Sequence, residues 1–357
     1  MNEEITKEEI TNQKANPLGE VAVNKLLRQF AVPSIIAMLV SALYNIVDQF
    51  FIGRKLGELG NAATNVAFPL SISCVAIALL FGIGGASAFN LAMGKGQKEE
   101  AVHYIGNSAV MLFGMGTLLF IIVQIFLEPM MEFFGAPQEV LGYAKAYTSI
   151  TSIGFPFLIL GAGGGHLIRA DGSPKVTMIC NMAGAIINTI LDPIFIFALN
   201  MDMEGAALAT IIGQIVSALI VFYYLRHYKT ATLRKEHLRI RKRYITRIMS
   251  LGAAPCSNQI AMMVVQIVMN KSLTYYGASS VYGQAIPLAS AGIITKVNQL
   301  FFSFIIGISQ GLQPIVSFNY GAKKYMRVKS AYMRATFYGF VIAIIASVMF
   351  LLIPRQI

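Results

Sequence analysis

The sequence predicts an all-α integral membrane protein, a polytopic bundle of about nine transmembrane helices. Hydrophobic residues make up 56% of the 357 positions and charged residues only 13%, whereas about a quarter of the residues in soluble domains are charged. The mean hydropathy of +0.63 agrees with a membrane location. Because the apolar segments are longer than barrel strands and do not alternate with polar residues, helices are the predicted spans.

Nine apolar runs have roughly the length needed to cross a hydrocarbon core of about 30 Å. The charged residues inside them are Asp48 in the first run, Asp192 in the fifth and Lys296 in the eighth. A charged side chain at the centre of a span costs roughly 2.5–3.5 kcal/mol, so each of the three is a functional candidate. The runs cover residues 30–53, 66–93, 104–127, 146–165, 176–201, 205–225, 248–270, 281–320 and 335–353.

The basic residues between the runs predict the orientation, because cytoplasmic loops carry an excess of Lys and Arg. The segment from Arg226 to Arg247 holds nine of them. The loops after runs three and five are poor in Lys and Arg and contain acids such as Glu132 and Asp202. We therefore expect a multi-pass protein of the cytoplasmic membrane with a cytoplasmic N-terminus. The net charge of +11 follows this pattern, so nucleic acid is not an expected partner.

A weak internal repeat divides the chain into two parts. Ala67-Phe-Pro-Leu70 corresponds to Ala285-Ile-Pro-Leu288, and Pro33 corresponds to Pro255. The matches suggest a six-helix unit that begins twice and stops after three helices, as expected for a C-terminally truncated chain or one completed by another protein. Repeated halves around a midplane site are typical of secondary transporters. The expected parts are a cytoplasmic tail (1–25), an N-lobe with helices one to six (26–226), a basic cytoplasmic linker (227–247) and a partial C-lobe with helices seven to nine (248–357).

The fifth run contains the most informative group of residues. Asn188 lies four residues before Asp192 and therefore on the same helical face. Pro193 follows directly and has no N–H, so the carbonyl of Thr189 loses its usual helical partner. A carboxylate, an amide oxygen and a free carbonyl at one depth would form a site for a hard cation or a proton. The alternative is a buried Asp that hydrogen-bonds to a neighbouring helix and only stabilises packing.

Several stretches of the sequence, taken in order, are similar to a known transporter family. They are Pro33 with Asp48, Leu56-Gly-Glu-Leu-Gly-Asn-Ala-Ala63, Asn188-Thr-Ile-Leu-Asp-Pro-Ile-Phe-Ile-Phe197, Glu204-Gly-Ala-Ala-Leu-Ala-Thr210 and Gln313-Pro-Ile-Val-Ser-Phe-Asn-Tyr-Gly-Ala322. In these stretches the chain resembles the multidrug and toxic compound extrusion (MATE) transporters, over about residues 26–353. The resemblance implies a fold with twelve helices in two six-helix lobes around a central cleft. It also implies export of organic cations in exchange for Na+ or H+.

The resemblance also implies a set of functional residues in the N-lobe. Pro33 would be the bend point of the first helix, and Pro193 is the second proline with an expected gating role. At 1.5 Å per residue, the implied acids fall in the outer half of the membrane. The implied cation-binding residues are Asp48, Asn188, Asp192 and Thr210.

The C-lobe departs from the pattern of some family members, which carry an acidic coupling residue in helix seven. Run seven has no acid here, and Gln266 and Asn270 are its polar candidates for the cleft. Coupling is then expected to depend on the N-lobe alone. Lys296 is expected to face the cleft, either as the partner of a carbonyl or an acid or as a substrate contact. The His and Cys spacings predict no metal site, and no cofactor is expected apart from Na+ or H+ as the coupling ion.

The leading interpretation is a monomeric, cation-coupled antiporter that exports organic cations or drugs by alternating access. One alternative is a lipid-linked precursor flippase of the same superfamily, which would need a cleft rich in Arg and Lys. Another is a folded fragment that does not transport. A membrane-embedded enzyme would need paired His, Asp or Glu residues, or a nucleophile with its base, inside the spans. The runs contain only Asp48 and Asp192 of these groups, so an enzyme is not expected.

Overall fold

The computed structural model describes residues 16–136, 138–230, 232–279, 281 and 285–352. The regular structure within these residues is helical. A π-helical turn, Ile194–Ala198, follows α8, and a 3-10 turn, Lys235–Leu238, lies in the predicted linker. The helices are α1 (Pro17–Glu20), α2 (Val23–Gly57), α3 (Leu59–Gly94), α4 (Lys98–Ile125), α5 (Leu127–Phe133), α6 (Gln138–Ile153), α7 (Phe155–Ala170), α8 (Pro174–Pro193), α9 (Asp202–Arg226), α10 (Lys242–Ala278), α11 (Ala285–Gly321) and α12 (Tyr325–Leu352).

Eight of the described helices are long and apolar enough to span a membrane, and α6 with α7 forms a ninth span if the bent pair is counted as one. The predicted all-α membrane bundle is thus confirmed. The fourth apolar run, residues 146–165, falls on this bent pair, in which α6 and α7 meet at an angle of 56°. The bend lies at Gly154, two residues before Pro156. Pro156 has no N–H for the carbonyl of Ser152, and its ring disfavours a continuous helix.

Helix α2 begins at Val23, inside the segment predicted as a tail and before the first apolar run. Lys25 and Arg28 conceal this start in the hydropathy pattern, because they interrupt the apolar sequence. Leu26 and Phe30 are nevertheless buried, at 1% and 2% exposure. The helix therefore starts with an amphipathic turn and becomes mostly apolar from Phe30 onward.

Helices α2 and α3 follow each other without a loop, and Gly57 makes the reversal possible. Its backbone has φ 64° and ψ −146°. Residues with a side chain are strained in this region, whereas glycine adopts it readily. The Leu-Gly-Glu-Leu-Gly sequence around Gly57 thus sets where the first span ends and the second begins.

The two halves of the chain contact each other closely along α3 and α11. A methyl group added at Gly94 would overlap the carbonyl of Phe318, and one added at Gly321 would overlap the carbonyl of Leu91. The two backbones are therefore in direct contact, which only small residues allow. Two further contacts of this kind join α3 to α10, at Gly84 and Gly252.

The first half of α2 packs against α11 in the second half of the chain. Gly311 lies against the backbone at Phe30, and Gly307 lies against the backbone at Ile35. Pro33 lies between these two contacts and is buried. A separate cluster of buried apolar side chains surrounds this junction. The beginning of α2 is thus fixed to α11 of the second half, while its later part packs against other helices of the first half.

Candidate cation-binding site

The end of α8 and the middle of α9 supply three of the four implied cation-binding residues. Asp192 precedes Pro193 and is fully buried at 0% exposure. Asn188 lies one turn earlier, and its Nδ2 donates hydrogen bonds to Asp192 Oδ1 and Thr210 Oγ1, both at 3.3 Å. The amide of Asn188 therefore connects the two helices at this point.

Asp48 approaches the same cluster from α2. Its carboxyl group is close enough to the Asp192 carboxyl group for the two to interact. Two ionised carboxylates repel each other at such a separation, so the pair needs a shared proton or a cation between the two groups. The structure thus brings together all four residues that the resemblance implies. Their role in cation binding stays a prediction.

Two tyrosines that the sequence analysis did not identify lie beside the carboxyl pair. Tyr44 on α2 and Tyr147 on α6 are close enough to interact electrostatically with both acids. The Tyr147 hydroxyl is also close to Thr210. Tyr44 lies one helical turn before Asp48, a spacing that the sequence contains. Nothing local to Tyr147 predicts its position, because the packing of α6 decides it.

Three oxygen atoms of this cluster are buried and have no hydrogen-bond partner among the described residues. They are Asp48 Oδ1, Asn188 Oδ1 and Asp192 Oδ2. A buried acceptor without a partner costs roughly 1–3 kcal/mol. Hard cations take carboxylate and amide oxygens as ligands. The same carboxyl pair is also suited to hold one proton. The donor set therefore fits either Na+ or H+.

The two prolines with an expected gating role lie in different surroundings. Pro33 lies about four helical turns before Asp48 on α2. Pro193 ends α8, and the π-helical turn follows it directly, with the Leu199 N–H donating to the Ile194 carbonyl at 2.9 Å. Turns of this type are frequent at functional sites. The gating role of both prolines stays a prediction.

The residues predicted for the cleft lie in the second half of the chain. Gln266 is half-buried on α10. The side chains of Asn270 and Lys296 lie outside the described residues, although the helices that carry them are described. The predicted cleft roles of these three residues therefore stay predictions.

Glu99, His103 and His237 form a second cluster of ionisable side chains, where α4 meets the linker. One potential ligand atom from each residue lies within 4.8 Å of the other two, a proximity that their spacing in the sequence did not predict. The Arg234 N–H donates to His237 Nδ1 at 2.9 Å. The proton of His237 is then on Nε2, which donates to Glu99 Oε1 at 2.9 Å. Because a metal-binding nitrogen must be unprotonated, the geometry favours a hydrogen-bonded clamp over a metal site.

The chain is similar in sequence to multidrug export proteins of staphylococci. It is 28% identical over 307 residues to the Multidrug export protein MepA of Staphylococcus haemolyticus (strain JCSC1435), and the aligned part covers 85% of this chain and 66% of that protein. A second MepA, from Staphylococcus saprophyticus subsp. saprophyticus, gives the same values. The chain thus spans slightly less than two thirds of the length of these relatives.

Two solved structures have the same fold. One is the outward-facing conformation of a multidrug resistance MATE family transporter of the MOP superfamily, with a TM-score of 0.88, 22% identity, and coverage of 96% of this chain and 75% of that chain. The other is a MOP superfamily transporter from Pyrococcus furiosus, described as having a binding pocket of reverse polarity that suggests a different function. Its TM-score, identity and coverage are the same. At this identity, the likeness establishes the fold alone.

The MatE family model matches residues 33–194 and 254–357, which together are most of the chain. The matched segments include Pro33, Asp48, Asn188 and Asp192. Thr210 falls between them. The match over both halves confirms the resemblance that the sequence motifs indicate, and the chain belongs to the MatE family.

Proposed function

We propose that this chain is a cation-coupled antiporter that exports organic cations, such as drugs, across the cytoplasmic membrane by alternating access. The observation that carries the proposal is the approach of Asp48 to Asp192 inside the span region, together with three buried oxygens that have no hydrogen-bond partner in the described part of the chain. The MepA relatives, described as multidrug export proteins, support an amphipathic drug-like substrate.

In the proposed mechanism, the coupling cation and the organic cation depend on the same negative charge. Na+ or H+ enters the cluster from the outer side and neutralises the carboxyl pair. The attraction between the pair and the bound organic cation then falls, and the substrate leaves. When Na+ or H+ leaves the cluster and an organic cation binds instead, the carboxyl pair regains its negative charge. Exchange follows from electrostatics, since one site of net negative charge does not stabilise both cations at once.

Helix α2 transmits the change of occupancy in this proposal. Asp48 moves when the carboxyl pair changes its charge or its ion, and α2 bends at Pro33. The beginning of α2 is held by Gly307 and Gly311 of α11, so the bend moves the later part of the helix relative to α11. We place the N-terminus in the cytoplasm, on the basis of the basic residues in the loops, and we propose a monomer.

The first prediction tests the carboxyl pair. Asp48→Asn and Asp192→Asn should each lower the efflux of an organic cation from an exporter-deficient strain by at least about tenfold, because each removes the charge that both cations need. Asp202→Asn is the matched control, since Asp202 is exposed and pairs with Lys55 at 3.8 Å outside the cluster. Full efflux by either variant of the pair would exclude the proposed mechanism.

Binding measurements on the purified chain separate coupling from transport. Binding of radioactive Na+, or proton release into a weakly buffered solution when an organic cation is added, identifies the coupling ion. Ion binding without efflux would mean that the chain folds and forms the site but does not transport. A cleft suited to pyrophosphate would favour a lipid-linked precursor flippase instead. The apolar runs carry Lys296 as their basic residue, which favours a cationic substrate.

A further inference from the structure

A cavity of about 520 Å³ lies where the end of α3, the start of α4 and the start of α10 meet. It is far in sequence from the carboxyl pair and does not share residues with it. Three basic side chains, Lys95, Arg243 and Arg247, line the cavity, and Glu100 is its acidic residue. The cavity therefore has a formal excess of positive charge, which favours an anionic ligand over the organic cations proposed for the transport site.

The acidic side chain in this cavity is already paired. Arg243 Nη2 donates to Glu100 Oε1 at 3.2 Å, and the Tyr104 hydroxyl donates to the same oxygen at 3.3 Å. The charge of Glu100 is thus offset by Arg243. Lys95 and Arg247 supply the remaining positive charge. The Thr246 hydroxyl also lines the cavity but donates to the Lys242 carbonyl at 2.9 Å. Cationic groups arranged around one cavity are suited to bind phosphate oxygens.

The cavity also has an apolar side. Ala88, Leu91 and Ala92, which belong to the last turns of α3, form this part of the lining. Lys95 follows the last residue of that span, and Arg243 is the second residue of α10. The basic groups therefore lie at the ends of helices that are long and apolar enough to span a membrane. Lipid headgroups are expected at such helix ends, with apolar helix surface continuing into the hydrocarbon core. A phosphate ester with acyl chains matches this combination better than a soluble one.

We propose that this cavity binds the phosphate group of an anionic phospholipid from the inner leaflet. The proposal depends on the proposed orientation, which places Lys95 and Arg243 on the cytoplasmic side, but not on drug transport. Because α3 and α4 belong to the first half of the chain and α10 to the second, a lipid bound here contacts both halves. It stabilises the conformation in which the start of α10 lies beside α4.

The test measures lipid binding to the detergent-purified chain by native mass spectrometry and by the lipid-dependent shift of the unfolding temperature. Phosphatidylglycerol should bind and raise the unfolding temperature, whereas phosphatidylcholine should not. The double variant Lys95→Gln/Arg247→Gln should weaken phosphatidylglycerol binding about 25-fold, because each basic residue contributes roughly a fivefold factor near an anionic surface. Glu100→Gln should strengthen binding, because it releases Arg243.

The matched control is Lys235→Gln/Arg239→Gln, which removes the same charge from exposed linker residues outside the cavity. Equal weakening by the control would show that only net charge matters, and would overturn the proposal. Competition by glycerol 3-phosphate at the affinity of phosphatidylglycerol would assign the cavity to soluble phosphate esters and overturn the lipid assignment. Asp48→Asn should leave lipid binding unchanged, so that failure of this proposal and failure of the antiport mechanism are observed separately.

Discussion

Asn188 is the residue that holds the candidate site together. Its Nδ2 contacts both Asp192 and Thr210, while its Oδ1 is buried and has no hydrogen-bond partner among the residues that the structure describes. One side of the amide therefore orients a carboxylate, and the other presents an acceptor. An apolar residue here would leave the carboxylate without a neutral hydrogen-bond donor in a poorly hydrated environment, which is unfavourable for its charged form.

The second prediction concerns this amide. Asn188→Ala should weaken the binding of the coupling cation by about tenfold or more, since hydrogen bonds to charged groups contribute roughly 1.5–3 kcal/mol. The measurement is radioactive Na+ binding or proton release with the purified variant. Asn45→Ala is the control, because the Asn45 amide is exposed and donates only to the Ser41 carbonyl in the described contacts. Unchanged cation affinity in Asn188→Ala would remove Asn188 from the site.

At the scale of elements, α2 combines a fixed part with a part that carries the site. Glycines of α11 contact its backbone on both sides of Pro33, and Asp48 lies well beyond these contacts. Pro33 removes the hydrogen bond to the carbonyl of Gln29 and weakens the helix at the border between the two parts. A change at Asp48 can therefore alter the angle of the helix without separating its beginning from α11.

The third prediction is that Pro33→Ala reduces efflux several-fold and leaves cation binding within about twofold, because it restores the missing backbone hydrogen bond and makes α2 more resistant to bending. Efflux and cation binding are measured in parallel on the same variant. Pro69→Ala provides the comparison, since Pro69 is also inside a helix but lies on α3. Loss of cation binding in Pro33→Ala would assign Pro33 to the structure of the site and contradict a gating role.

The linker predicted at residues 227–247 is held against the first half of the chain. At its start, the backbone N–H groups of Lys229 and Thr230 donate to Asp171, at 2.8 and 3.1 Å. At its end, Asn107 of α4 accepts from the Arg241 N–H at 3.0 Å and donates to the His237 carbonyl at 3.2 Å. The linker is therefore a docked segment, and α10 starts from a defined position.

The fourth prediction is that Asn107→Ala destabilises this docking by about 1–3 kcal/mol, because it leaves buried backbone groups without partners. Trypsin should then cut the basic linker faster, and the unfolding temperature should fall. Thr117→Val on the same helix is the control, as the Thr117 hydroxyl is exposed and donates to a carbonyl of its own helix. Equal cleavage rates for Asn107→Ala and the unmodified chain would mean that the linker is not held by Asn107.

At the scale of the whole molecule, the contact between the two halves depends on backbone proximity along α3 and α11. Gly94 and Gly321 leave no space for a methyl group, and each lies against a carbonyl of the other helix. Such contacts gain dispersion energy over a short range and are lost together when the helices separate. The contact is therefore suited to two discrete arrangements of the halves, as alternating access requires.

The fifth prediction compares two glycines. Gly94→Ala should lower stability by about 1–3 kcal/mol, because the added methyl group forces α3 away from α11. Gly114→Ala on α4 should raise stability by roughly 0.5–1 kcal/mol, since no atom lies within 4 Å of the added group and alanine favours the helix. Thermal unfolding in detergent measures both. The same effect from the two substitutions would show that the α3–α11 contact adjusts easily.

Much of the fold could be predicted from the sequence, because the length of an apolar run and the charges of its flanks are local properties. The eight spans and the bent α6–α7 pair among the described residues, the Pro193 break after Asp192 and the presence of Asp48 inside the first span all follow from such properties. The start of α2 did not, since Lys25 and Arg28 mask buried leucines on the same turns. The bend at Gly154 did not either, although Gly154 and Pro156 were visible in the sequence.

The apolar runs and the motifs were sufficient to recognise a helical membrane protein of the MatE family with two acids inside its spans. The spans can be read in this way because the cost of inserting a segment depends on that segment alone. In contrast, helix packing places Asp48 near Asp192, Tyr147 beside both acids, and Lys95, Arg243 and Arg247 around one cavity. These facts depend on the rotation and packing of helices distant in sequence, which is set by interdigitating side chains and glycine contacts rather than by hydropathy.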